Sequence, residues 1–269
     1  MTVLRSPLRP VLRSPLYSPL VGKWGGAFSP SALFQTGDIL LWYDPSDLST
    51  MFKDTAGTQP VTADGDSVAL MLDKGQSGYH RVQATGTSMP KYKTDGTLHW
   101  LLYDGSDDGN STPSINWGTD EVAICAGLTK SSDAAIGVFA ELGNATGNFG
   151  LYSPITASSN VAFRSRGTVI SDTVATGIVS PVTAVLTGRG KISTDLATLR
   201  LNGSQAASSS SDQGTGVFGN YPLYFGRRTG ASLPFNGKEY QTVIRNRLLS
   251  AGELASLETF VAGKTGVTL

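Results

Sequence analysis

Apolar residues in this chain cluster in short runs rather than in long helical periods. The runs are Ile39–Tyr43, Val68–Leu72, Leu98–Tyr103, Val122–Leu128, Ala135–Leu142, Phe149–Tyr152, Val161–Arg164, Val182–Thr187, Leu196–Leu201, Leu223–Gly226 and Tyr240–Arg245. Each is bounded by Gly, Pro, Asn, Asp or Ser, which predicts a series of strands. Asn202-Gly203, after Leu199-Arg200-Leu201, predicts a hairpin, because Asn-Gly suits a type I′ turn. One helix is expected near the C-terminus. Ser250 and Glu253 have the spacing of a capping box, and Leu249 and Leu254 that of a hydrophobic staple. Leu254, Leu257, Phe260 and Val261 form one apolar stripe, and Gly263 is the expected stop. Many short strands with one helix predict an all-β fold, a two-sheet antiparallel sandwich.

Before residue 38 the pattern changes. Leu4-Arg5-Ser6-Pro7-Leu8 recurs as Leu12-Arg13-Ser14-Pro15-Leu16, and Tyr17-Ser18-Pro19-Leu20 is a truncated third copy. Proline fixes φ and lacks an N–H, so this stretch reads as an extended arm rather than a helix. Such an arm cannot bury enough apolar surface to offset its ordering entropy. It is therefore expected to lie on a partner, with Arg5, Pro7, Arg9, Arg13, Pro15, Tyr17, Pro19 and Trp24 as docking residues. In extended chain its repeats would stand about 25 Å apart, a spacing suited to an elongated partner surface. Residues 22–37 form a linker whose aromatics, Trp24, Phe28 and Phe34, suggest packing rather than free swinging. Residues 1–37 thus read as arm and linker, and 38–269 as the sandwich.

Composition narrows the function classes. The chain carries 21 basic and 21 acidic side chains. Arg5, Arg9, Arg13 and Lys23 precede residue 38 with no acid among them, which leaves the body with 17 basic against 21 acidic groups, a net of −4. A surface that tracks phosphates needs clustered Lys and Arg, so a nucleic-acid partner is not expected. No apolar run approaches the roughly 20 residues of a membrane span, and the N-terminus lacks a signal-peptide apolar region. The single Cys125 excludes an internal disulfide framework and reads as a small core residue.

Several segments together carry a family resemblance. They are Leu41-Trp42-Tyr43-Asp44-Pro45-Ser46-Asp47-Leu48-Ser49, Asp73-Lys74-Gly75-Gln76-Ser77-Gly78-Tyr79-His80, Met89-Pro90-Lys91-Tyr92, Leu102-Tyr103-Asp104-Gly105-Ser106-Asp107-Asp108, the Asn202-Gly203 hairpin, and the helix start after Arg247. Their order resembles the concanavalin A-like lectin/glucanase (laminin G-like) domains found in many phage tail and virion proteins, over about residues 38–265. The resemblance implies a jelly-roll sandwich. It also implies a non-enzymatic virion structural protein of tail, baseplate or capsid, made in the host cytoplasm. The arm would hold it to other virion proteins, copies of the chain would form a homo-oligomer in the particle, and the sandwich would face a host-surface glycan or serve as decoration. The alternatives are a glycan-degrading virion enzyme and a purely structural spacer.

Candidate chemistry is sparse. Glycosidases place two carboxylates across the scissile bond, and the Glu-x-Asp-x-x-Glu-like strand of the glucanase branch is absent. Of the five glutamates, Glu253 belongs to the cap and Glu258 to the helix, while Glu121, Glu141 and Glu239 stand apart from other acids except for Asp120 beside Glu121. No catalytic residue and no cofactor are expected. Asp104, Asp107 and Asp108 are the densest acidic group; they read first as a strand-end turn, with a Ca²⁺ ion as the alternative. Two histidines, no Gly-x-Ser-x-Gly elbow and no P-loop leave zinc, acyl-transfer and nucleotide chemistry without support. Sugar binding needs an exposed aromatic with polar groups around it. The candidates are Tyr79, Trp117 and Tyr152, with His80, Asn116, Asn144 and Asn148 nearby in sequence.

Overall fold

A computed structural model describes residues 27–269. The proposed docking residues Arg5, Pro7, Arg9, Arg13, Pro15, Tyr17, Pro19 and Trp24 lie outside the described residues. Two antiparallel sheets face each other across the main core. The first runs Ser204–Ser209, Leu196–Leu201, Val182–Lys191, Glu121–Lys130, Asn236–Arg245, His99–Asp104 and Lys91–Thr94, with Leu40–Tyr43 also paired to Asn236–Arg245. The second runs Ile170–Thr176, Asn160–Arg166, Gly147–Tyr152, Val138–Gly143, Leu223–Phe225, Asn110–Ser111, Arg81–Val82, Leu70–Met71 and Met51–Phe52. Glu121–Lys130 sits between Val182–Lys191 and Asn236–Arg245, so strands distant in sequence are neighbours in space, as in a jelly roll.

The strand Glu121–Lys130 is buried along almost its whole length because it serves two cores. Ile124, Ala126 and Leu128 point into the space between the sheets, while Ala123 and Cys125 point the other way. That second face is covered by the helix Ala251–Thr265, whose Leu254, Leu257 and Val261 meet Ala123, Cys125, Val185 and Val243. Cys125 is a core residue as expected, and burial pushes its thiol up to about 12, which keeps it unreactive.

The helix starts as the sequence predicts. Ser250 Oγ accepts the Glu253 amide at 3.3 Å, and Glu253 Oε2 accepts the Ser250 amide at 2.8 Å. It does not stop at Gly263. It runs on to Thr265 and ends at Gly266, whose φ of 73° supplies the left-handed cap. The described part of the linker packs on the body. Leu33 is buried in the helix-side core, and the Phe28 ring meets Phe260 edge-on at 6.1 Å.

The inner faces approach closely at Gly188. A Cβ there would lie 2.1 Å from Cδ2 of Phe163 on the opposite sheet. Glycine at this position is a packing requirement that lets a buried ring lie flat against the first sheet. No helix among the described residues is long and apolar enough to cross a membrane.

Candidate functional site

The expected sugar-stacking residues are not assembled into a site. Trp117 is fully buried: its Nε1 donates to the Glu121 carbonyl at 2.9 Å and its ring lies 4.7 Å from Phe149. Tyr152 is buried too. Its hydroxyl donates to Glu141, and the Arg164 guanidinium sits over its ring at 4.9 Å. Burial and the Glu141 charge push the Tyr152 phenol well above its ordinary range. Neither ring presents a face to a ligand, which corrects the expectation for both. Tyr79 is half-buried against the main core, His80 Nδ1 accepts the Asp73 amide at 3.0 Å, and Asn144 is exposed in a hairpin turn.

Asp104, Asp107 and Asp108 do converge, with carboxylate oxygens within 4.8 Å of one another. Their hydrogen bonds are those of a turn. Asp104 accepts the amides of Ser106 and Asp107 at 2.7 and 3.3 Å, Asp108 accepts the Asp104 amide at 3.0 Å, and Asp107 accepts the Ser88 hydroxyl at 2.7 Å. Burial, reinforced by the charges of Asp104 and Asp107, raises the Asp108 carboxyl to about 6.

All five glutamates are held by cations. Glu121 pairs with Lys191, Glu141 with Arg228, Glu239 with Arg81, Glu253 with Arg247 and Glu258 with Arg200, at 2.7 to 2.8 Å. The sequence shows Glu141 and Glu239 as isolated acids; their partners lie 87 and 158 residues away.

Ile136, Ile155 and Leu233 cover Val138, Tyr152 and Ala162 on the outer face of the second sheet, and strand register lays one row of opposed residues across that face. Val82 opposes Ser111, Ser111 opposes Tyr224, and Tyr224 opposes Glu141. The row continues through Gly150 and Arg164 to Asp172. Directly opposed residues share a face, so this row lies on the outer side of the sheet, with Glu141 and Gly150 buried at its middle. Its charged end closes on itself: Arg228 binds Glu141 at 2.8 and 2.9 Å, and Arg164 grips Asp172 with two bonds of 2.7 Å.

Its other end opens into a groove of about 390 Å³. Val82, Ser111 and Tyr224 lie on the sheet surface, and Gln83–Thr85, Gly109–Asn110, Arg227 and Thr229–Gly230 complete the lining. The volume falls within the usual range for small-molecule sites, roughly 300–1,000 Å³. Among the half-buried Trp and Tyr rings, Tyr224 is the one this groove presents. Trp42 and Trp100 lie under the ammonium groups of Lys74 and Lys238, at 4.4 and 4.3 Å. Tyr79 and Tyr221 pack against the main core. The hydroxyls of Ser111 and Tyr224 make no hydrogen bond among the described residues, and Val82 keeps 39% of its surface exposed. An aromatic ring, an exposed aliphatic group and unused hydroxyls in one concave surface can hold a ligand with both apolar faces and hydroxyls.

Known proteins match this chain in fold alone. No family model matches it, and no curated protein does. Among solved structures, the botulinum neurotoxin serotype D binding domain matches with a TM-score of 0.59 and 10% identity, covering 83% of this chain and 51% of that one. A Trypanosoma rangeli sialidase in complex with the inhibitor DANA matches with a TM-score of 0.53 and 12% identity, covering 80% of this chain and 36% of that one. The chain thus spans about a third to a half of these structures. The fold it shares with them is a β-sandwich.

Proposed function

We propose that this chain is a non-enzymatic recognition module that binds a saccharide in the Tyr224 groove, and that it is carried on a virion by its N-terminal arm. The groove carries the reading. A sugar ring has an apolar face suited to Tyr224 and Val82, and hydroxyls suited to Ser111, Thr85 and Thr229. The neurotoxin neighbour is a binding domain on the same fold, which supports the reading by analogy of fold. Every glutamate is engaged by a cation, which leaves none of the five as a free member of a glycosidase carboxyl pair. A shallow, weak site gains strength when many copies act together on one particle.

A glycan array probed with the full chain tests the binding. Saccharide-selective binding that weakens in Tyr224→Ala is expected; no binding to any saccharide would overturn the reading. Deleting residues 1–21 tests the anchoring. The truncated chain should stay folded and fail to enter particles, and its incorporation at full occupancy would overturn the role of the arm.

A further inference from the structure

We infer that the groove selects an anionic saccharide, with Arg227 as the partner of its carboxylate or sulfate; this rests on the saccharide reading above. Arg227 and Arg228 are adjacent in sequence but differ in state. Arg228 is locked by two bonds to Glu141. Arg227 lines the groove and has no ion pair or hydrogen bond among the described residues. Its Nε is shielded from solvent and still lacks an acceptor. A shielded donor without a partner is costly, and more so where it is charged.

Among the described residues no acid pairs with Arg227. Glu141 is taken by Arg228 and Tyr152, Asp107 accepts from Ser88, and Asp108 accepts from the Asp104 amide. The side chain is nevertheless placed with care. Its Cγ packs against Gly109, where an added Cβ would come within 2.9 Å of it. The stem is thereby fixed beside the groove. A planar guanidinium in this position matches a two-oxygen anion, such as a sugar carboxylate or sulfate. Tyr224 and Val82 receive the rest of the ring. A polyanion such as nucleic acid would need several free cations along a track, and this groove offers one.

Calorimetric titration of the full chain tests the inference. Three probes share one backbone: a neutral oligosaccharide, its uronic-acid form and its sulfated form. At least one anionic form should bind about tenfold or more tighter than the neutral form, as expected for a charge-assisted pair. Arg227→Gln should erase that preference, while Arg227→Lys should retain part of it. The two anionic arms distinguish carboxylate from sulfate as the preferred source. Equal binding of all three probes, or a preference that survives Arg227→Gln, overturns the anion assignment and leaves saccharide binding standing. Absence of binding to every probe overturns both.

Discussion

Arg81 and Glu239 meet as a two-bond ion pair between the sheets, with both side chains fully buried. Arg81 comes from a short strand of the second sheet and Glu239 from a central strand of the first. The bonds are 2.7 and 2.8 Å. Asn110 accepts the remaining Nε at 2.8 Å, the Tyr103 hydroxyl donates to Glu239 at 2.9 Å, and Thr242 donates to it at 2.7 Å. The guanidinium also lies over the Phe225 ring at 3.7 Å. Burial opposes the charge on Arg81, but the Glu239 carboxylate more than offsets this and holds its pKa above the ordinary value. Burial raises the Tyr103 phenol well above its usual range, and the Glu239 charge adds to that rise.

Removing one partner strands the other in a dry interior. Arg81→Met should destabilise the fold by roughly 3–5 kcal/mol, measured by urea unfolding. The double variant Arg81→Met, Glu239→Leu should recover much of that loss, because it leaves no buried charge. A single variant as stable as wild type would show that water reaches Glu239.

Gly188 makes a steric prediction with a built-in control. Gly188→Ala drives a methyl into the buried Phe163 ring and should cost about 1–3 kcal/mol. Gly263 is helical and exposed, with nothing within 4 Å of an added Cβ. Gly263→Ala should therefore stabilise by about 0.5–1 kcal/mol. Thermal melts of the two variants should move in opposite directions.

These positions show what a chain can reveal before it folds. Short apolar runs between turn residues mark most of the long strands, and Asn202-Gly203 forms the expected hairpin with φ values of 47° and 78°. Ser204–Ser209 escapes notice because its Ser- and Ala-rich segment lies at a sheet edge and buries little. Gly263 and Gly266 are alike in sequence, and only the left-handed backbone at Gly266 distinguishes the cap. The capping box is local and was legible. The groove was not, because Val82, Ser111 and Tyr224 become neighbours only through strand register. The one sequence signal was Arg227-Arg228 between Gly226 and Gly230, which says nothing of which arginine is taken. Trp117 reads as a loop aromatic among turn residues, yet its indole N–H finds a backbone carbonyl that allows it to bury.

Asp108 ties stability to pH in a defined direction. Its folded pKa of about 6 lies above the unfolded value of about 3.9, so the folded state favours the protonated carboxyl. Its contribution is fully present below about pH 4 and is lost as the pH rises through 6. Allowing for solvent screening at this turn, the loss should be on the order of 1 kcal/mol. Glu253, lowered to about 2 chiefly by its bond to Arg247, acts in the opposite sense, so the comparison needs a matched variant. Asp108→Asn keeps an oxygen for the Asp104 amide and cannot ionise. The stability of wild type relative to this variant should fall between pH 4 and 6.5 in chemical denaturation; a flat difference would place the Asp108 pKa near its ordinary value.

Tyr224 and Trp117 separate a binding ring from a packing ring. Trp117→Ala removes a buried side chain that closes on Phe149 and should cost about 3–5 kcal/mol of stability. Tyr224→Ala opens no sealed core, because its ring lies half-exposed on the outer face, and should shift the melting temperature little. Its effect belongs to the ligand: stacking on an aromatic ring contributes about 0.5–1.5 kcal/mol, so saccharide affinity should fall about threefold to tenfold. Tyr224→Phe keeps the ring and loses the hydroxyl, so it should retain most of the affinity if stacking dominates. Trp117→Phe, which stays folded more readily, should bind saccharide as wild type does. A loss of binding in Trp117→Phe with no loss in Tyr224→Ala would move the site away from the outer face of the second sheet and toward Trp117.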